Sequence, residues 1–242
     1  MAVRIAVLSD IHSNLPALEA VLAGVGSVDG IWVLGDTVGY GAEPEAVIAR
    51  LQGLGAVAVQ GNHDAAAAGA AILDWFNPEA REAIEWTRDR LSPGARAWLQ
   101  GLPTRRTEAG VAMVHGSFRD PLWEYVTSPA EAAASLARQE TRLALHGHTH
   151  IPVAWRRGAE GVGAFLPRDE AALDLDDDWL LVNPGSVGQP RDGDPRASFL
   201  ILDLDRRRLE WRRVTYPVEQ AAEAIRRAGL PERFAARLAH GI

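Results

Sequence analysis

Runs of β-branched and aliphatic residues recur along the chain and stop at small or polar ones: Val3–Asp10, Gly30–Asp36, Ala56–Asn62, Gly110–Gly116, Leu143–His150, Trp179–Gly185, Phe199–Asp205 and Leu209–Tyr216. These runs predict strands. Between the early ones, Pro16–Ala23 places Leu18 and Leu22 at i, i+4, and Pro44–Leu54 opens on a proline suited to the first turn, so both predict helices. Alternation of this kind predicts an α/β protein with a largely parallel sheet flanked by helices.

Residues 65–109 break the alternation. An alanine-rich start, Asp74-Trp75-Phe76-Asn77, and helix patterns over Pro78–Leu91 and Ser92–Gln100 predict a helical insertion, with Ser92-Pro93 as cap and first position. A further helix is expected over Ser128–Arg138, and Arg156–Asp178 reads as loop. The acidic run Asp174–Asp178 lacks the ligand spacing and glycine of a 12-residue calcium loop and reads as a solvated turn. From Phe199 the pattern is a hairpin through Asp205-Arg206-Arg207, then polar helices over about 217–240. No repeat is evident, and the 242 residues suit one domain, 1–242.

Composition narrows the chemistry. The chain has no cysteine, which removes thiolate ligands and thiol nucleophiles, and all 25 basic residues are arginine, which removes lysine chemistry. Any metal must therefore bind through nitrogen and oxygen. A net charge of −7 argues against stable nucleic-acid binding, though not against a nucleotide substrate. Apolar runs fall short of a membrane span and no signal peptide is evident, so a cytoplasmic protein with no membrane partner is expected.

The polar residues that end the strands change the picture most. Leu8-Ser9-Asp10-Ile11-His12 puts a carboxylate and an imidazole two residues apart, pointing the same way if the chain is extended; capping of the next helix is the plainer alternative. Gly35-Asp36 and Gly61-Asn62-His63-Asp64 each run from strand through glycine into an oxygen ligand, the second also readable as a polar turn. His115-Gly116 and His146-Gly147-His148-Thr149-His150 end two more strands. A lone histidine is commonly structural, but six of the seven in the sequence stand at strand ends, with only His240 elsewhere. In open α/β sheets ligands bind at those ends. Imidazoles, carboxylates and an amide oxygen without sulfur suit manganese, the first expectation, or iron, zinc, nickel or cobalt.

The ordered set Asp10-x-His12, Gly35-Asp36, Gly61-Asn62-His63-Asp64, His115-Gly116 and Gly147-His148-x-His150 resembles the calcineurin-like metallophosphoesterase superfamily, in particular its small bacterial and archaeal phosphodiesterase-type members. All five blocks occur in order within residues 3–205. The resemblance implies a four-layer α/β/β/α sandwich and two divalent metal ions. Asp10, His12 and His150 would hold one, Asn62, His115 and His148 the other, and Asp36 would bridge them. It implies further that His63 protonates the leaving oxygen, oriented by Asp64.

Two cations about 3.5–4 Å apart can lower the pKa of a shared water and neutralise charge building on phosphorus, so hydrolysis of a phosphate mono- or diester by a bridging hydroxide is the expected reaction. The substrate would be a small phosphorylated molecule or nucleotide. The same site also serves phosphoprotein phosphatases and nucleases, and the same fold a non-catalytic scaffold; here every ligand and His63 are retained.

His146 departs from the ligand spacing and is expected behind the ligands. The Asn183–Gly188 loop resembles one that backs the site. Arg119 and Arg191 could bind a phosphate, or be ordinary surface residues. Trp75 and Phe76, with Trp123 and Tyr125, could cover the site and contact a base or aromatic leaving group, or simply pack the insertion. Oligomeric state is not legible.

Overall fold

The structure is a computed structural model that describes residues 3–168 and 170–242. Met1, Ala2 and Asp169, which fall within the 1–242 span and, for Asp169, the 156–178 loop, lie outside the described residues. Among the described residues the strands are β1 (Arg4–Leu8), β2 (Gly30–Val33), β3 (Val57–Ala58), β4 (Arg105–Glu108), β5 (Val111–Val114), β6 (Leu143–Leu145), β7 (Val153–Gly158), β8 (Gly161–Phe165), β9 (Ala172–Asp174), β10 (Trp179–Asn183), β11 (Ala197–Asp203) and β12 (Arg208–Val214). The helices are α1 (Leu15–Gly24), α2 (Pro44–Gly53), α3 (Asn62–Ala68), α4 (Pro78–Arg90), α5 (Pro93–Gly101), α6 (Pro129–Leu136), α7 (Val218–Arg227) and α8 (Glu232–Ala236).

The strands form two mixed sheets, one ordered β3-β2-β1-β11-β12-β9 and the other β4-β5-β6-β10-β7-β8. Strand periodicity builds the layers. Ile5 and Val7 of β1, Trp32 of β2, Met113 of β5, Leu145 of β6, Val182 of β10 and Leu200 of β11 all face the slab between the sheets. Their neighbours face outward: Ala6, Val33 and Ile201 pack against α1 and α7, while Val114, Ala144 and Leu181 pack with Leu136 of α6. The central strands β1, β5, β6, β10 and β11 read as unbroken apolar runs because both of their faces are buried. The result is the α/β/β/α sandwich.

The helical insertion has its own core, in which Ala66 and Ala67 of α3 meet Ile84 of α4 and Leu99 of α5. Four proline-led helices gain side-chain caps at the residue before the proline or one earlier: Asn14, Asn77, Ser92 and Ser128 each accept a backbone N–H.

The largely parallel sheet expected from the alternation is instead two mixed sheets in which most pairs are antiparallel, and the structure corrects the linear reading in three further places. Strands β1, β2, β3 and β6 stop before the predicted ligands, so Asp10, His12, Asp36, His148 and His150 sit on loops and Asn62 opens α3. The segment read as entirely helical ends in β4, an exposed charged edge strand paired with β5. The segment read as loop contains most of the hairpin β7–β8 and all of β9, whose glycines and acids obscure the period-2 signal. No helix among the described residues is long and apolar enough to cross a membrane.

Candidate metal centre

The loops after β1 and β2 zip together through backbone bonds beyond their strands. Asp10 N donates to Gly35 O at 3.1 Å, His12 N to Asp36 O at 3.0 Å and Ser13 N to Thr37 O at 3.0 Å. The loop after β10 closes the back, with Val187 N on Ser9 O and Gly188 N on Asp10 O, both at 3.0 Å, and Ser186 Oγ donating to Asp10 O at 2.8 Å.

This crowding forces unusual backbone. Asp10, His12, Asp36, His148 and His150 all have φ between 49° and 67°, a left-handed conformation that non-glycine residues adopt at a cost of order 1–3 kcal/mol. Asp10 and His12 thus converge by strained turns, where the sequence reading used extended chain, and Asn14, not either of them, caps α1 through Ala17 N. Two glycines let the loops touch: a Cβ on Gly35 would stand 2.7 Å from Gly61 N and 2.8 Å from His115 Nδ1, and a Cβ on Gly61 would strike the Asp36 carboxylate.

The seven predicted ligands come together, buried, in two groups that meet at Asp36. Around the first, Asp10 Oδ1 stands 3.3 Å from His150 Nε2 and 4.0 Å from His12 Nε2, and the two imidazole nitrogens are 3.2 Å apart. Around the second, His115 Nε2 stands 3.0 Å from His148 Nδ1 and 3.2 Å from Asn62 Oδ1. Asp36 Oδ2 lies between, 3.7 Å from His12 Nε2 and 3.3 Å from His115 Nε2.

The far nitrogen of each ring fixes what the near one offers. His12 Nδ1 meets Val38 O at 3.1 Å, His115 Nδ1 meets Leu34 O at 2.8 Å, His150 Nδ1 meets Gln189 O at 2.6 Å and His148 Nε2 meets Trp123 O at 3.3 Å. A carbonyl only accepts, so each far nitrogen carries the proton and each near nitrogen of a neutral ring presents a lone pair. Asp10 is arranged likewise. Its Oδ2 accepts hydrogen bonds from Ser9 Oγ at 2.6 Å and His148 N at 3.1 Å, leaving Oδ1 buried without a hydrogen bond. The lone pairs of His12 and His150, facing one another across 3.2 Å, repel, and a cation between them removes the repulsion; beside His148 a proton on His115 stands where a cation would. The donor set therefore fits a divalent transition-metal ion in each group.

Electrostatics agree with this. Burial drives His12, His148 and His150 well below the usual imidazole range, keeping them neutral. Burial opposes charge on His115 too, but the Asp36 carboxylate wins and pulls it up to about 9. Burial likewise opposes the Asp36 carboxylate, yet His115 and then His63 hold it well below the usual range. Without metal, a proton on His115 takes the place of positive charge. Burial pushes Asp10 up to about 7 against the opposing charge of His115.

Asn62, His63 and Asp64 form the first turn of α3, neither strand nor polar loop. His63 N donates to Asp36 Oδ1 at 2.9 Å, and its ring lies edge-on to His12 at 4.9 Å and tilted to Tyr40 at 4.4 Å. Burial lowers it to about 4. Asp64 does not hold the imidazole. Its two oxygens accept from Val38 N and Gly61 N, both at 3.1 Å, so it braces the turn that carries His63.

The other predicted residues divide. Arg191 Nη2 donates to Gln189 Oε1 at 3.1 Å, and its positive charge opposes the burial-driven rise of Tyr125 and Asp10 and adds to the lowering of His63. Arg119 instead pairs with Glu124, which also takes the proton of Ser117 Oγ, so it is committed to the 117–127 loop. Phe76 reaches the centre edge-on to His63 at 5.0 Å, and Trp75 touches Trp123 at 5.2 Å. His146 is wholly buried, lowered to about 3 by burial, and belongs to none of the ligand groups among the described residues. The sequence reading missed Tyr40, whose ring packs 4.6 Å from His12; the glycines on either side of it, four residues past Asp36, were the available signal.

Residues 3–207 match the family model described as the calcineurin-like phosphoesterase superfamily domain. The crystal structure of a metallophosphoesterase from Sphaerobacter thermophilus is 42% identical, with a TM-score of 0.92 over 100% of both chains. An uncharacterized protein of Methanocaldococcus jannaschii is 37% identical over 97% of this chain and 96% of its own, and Escherichia coli phosphodiesterase YfcE is 27% identical over 81% and 85%. Motif order, layered fold and family match converge: the chain belongs to the calcineurin-like phosphoesterase superfamily.

Proposed function

We propose that this chain hydrolyses a phosphate ester, mono- or diester, at a pair of divalent transition-metal ions, manganese first among them. Asp10, His12 and His150 hold one ion, Asn62, His115 and His148 the other, and Asp36 lies between. The observation that carries the reading is the convergence of buried ring nitrogens, His12 Nε2 with His150 Nε2 at 3.2 Å and His115 Nε2 with His148 Nδ1 at 3.0 Å, each beside a carboxylate oxygen. When bound, such ions supply an activated water and neutralise charge on the phosphoryl group.

The remaining work falls to residues of the chain. Arg191, half-buried beside the centre, orients a phosphate oxygen. His63 is neutral at pH 7 in the metal-free protein; an anionic phosphate ester beside it favours the imidazolium, which gives its proton to the departing oxygen. Asp64 positions it by fixing the turn.

The test is to strip the protein with a chelator, reload it with Mn²⁺ and assay a panel of mono- and diesters. Hydrolysis that requires the metal is expected; no metal-dependent hydrolysis of any ester would refute the reading. His63→Ala should keep two ions per chain while slowing esters of poor leaving groups by about 10²–10⁴-fold, far more than p-nitrophenyl esters. Equal losses across the leaving-group series would remove the acid role.

A further inference from the structure

Four rings form a ladder that leads away from the centre on the side of His63. His63 meets the edge of Phe76 at 5.0 Å, Phe76 meets Trp123 at 4.9 Å, and Trp123 meets Trp75 at 5.2 Å. Exposure increases along it: His63 is buried, Phe76 and Trp123 are half-buried, and Trp75 is 67% exposed. A tryptophan left so far in water forfeits most of the stabilisation its burial would bring, and an indole face is a ready surface for a flat ring.

The ladder is held firmly from both ends. Trp75 sits in a single 3₁₀ turn, Leu73–Trp75, followed by the Asn77 cap of α4, and the adjacent Asp74 pairs with Arg81 at 2.9 Å. Trp123 N donates to Asp120 Oδ1 at 3.2 Å. In the same loop Ser117 Oγ accepts from Arg119 N at 3.0 Å and Asp120 N at 2.9 Å, and Arg119 and Glu124 lock across it. Pre-organisation of this kind lowers the cost of binding a partner ring.

We infer that the ladder is a stacking subsite for the base of a nucleoside, and that the leaving group of the natural substrate carries one. The inference rests on the reading of the centre as a phosphoesterase. The side is set by His63, the proposed donor to the leaving oxygen, from which the ladder starts. Nucleoside is favoured over a simple aryl group because an aryl ester oxygen joins ring and phosphorus directly, so its ring would reach Phe76 and stop. Trp123 and Trp75 lie one and two rings further out, and a ring there needs a spacer from the phosphorus, as ribose provides. Stacking on indoles accepts any base, so the subsite selects for a base without selecting which one.

The test is calorimetric binding of two phosphonates with no ester bond to cleave: the 5′-methylenephosphonate of adenosine and that of ribose, which differ only in the base. With Mn²⁺-loaded protein the adenosine compound should bind about 10-fold more tightly or better, in line with stacking on an aromatic platform. Trp75→Ala, at an exposed position, should cut that ratio several-fold, and Trp75→Phe should restore most of it. Equal affinities in the wild type, or a ratio untouched by Trp75→Ala, would overturn the inference. Metal dependence is read separately. If the ribose compound binds equally well with and without Mn²⁺, the phosphoesterase reading fails, while the base ratio still reports on the ladder.

Discussion

The two halves of the candidate centre offer matching donors on unequal supports. Around Asp10, His12 and His150 every support comes from tight loops: Val38 O and Gln189 O hold the imidazoles, and Ser9 with the His148 amide holds the carboxylate. Around Asn62, His115 and His148 one support is looser, although His115 Nδ1 meets Leu34 O at 2.8 Å. His148 leans on Trp123 O at 3.3 Å and under the half-exposed ring of Tyr125, stacked at 3.9 Å, both on the 117–127 loop. His115 carries a proton that an ion must displace, since Asp36 raises it to about 9. Similar ligand sets therefore need not bind alike. The first half has only the Asp10 carboxyl, raised to about 7, to deprotonate, whereas the second must expel a proton held up to about 9 and draw on a loop that also carries the aromatic ladder.

The strongest way to break the comparison is to remove one imidazole from each half. His12→Ala and His115→Ala should both cut turnover by on the order of 10³-fold. They should differ in what remains: His115→Ala keeps one tightly held ion, and His12→Ala keeps one that exchanges readily. Elemental analysis after gel filtration checks this, and identical retention in both variants would erase the asymmetry.

A smaller effect should appear with pH. The folded pKa of His115 lies above its ordinary value of 6.5, so its contribution to stability is present in full below about 6.5 and is lost as pH rises through about 9. Asp10, raised to about 7, and Asp64, pushed up to about 7 by burial and Asp36, act below that window. So do the lowered histidines, in the opposite sense. Metal-free protein should therefore lose about 2 kcal/mol between pH 7 and pH 9. Metal-loaded protein, with that proton gone, should lose much less. Calorimetric melting at both pH values, with and without Mn²⁺, measures the difference.

Much of this was written in the strand ends. Glycine followed by Asp36 or Asn62, and histidine at the close of β5 and β6, could be read because an apolar run stopping at a metal-competent side chain is a local signal. What stayed hidden is not local. The tautomers are set by the carbonyls of Leu34, Val38, Trp123 and Gln189, and a carbonyl has no letter in the sequence. The left-handed backbone at Asp10, His12, Asp36, His148 and His150 comes from loops wedged together by tertiary contacts, against the preference of those residues. Edge strands β4, β8 and β9 escaped because charge and glycine replace the alternation that marks a half-buried strand. Arg119 and Arg191 look alike in the sequence, and only the presence of Glu124 beside one and Tyr125 beside the other separates them.

The central claim is that one carboxylate, Asp36, joins two ion sites. Its most direct test is stepwise titration of metal-stripped wild type and Asp36→Asn with Mn²⁺, counting ions retained per chain. Wild type should take up two, the second binding more tightly as pH rises from 7 to 9, and Asp36→Asn should retain no more than one. Two tightly held ions in Asp36→Asn, or a wild type that never exceeds one, would contradict it.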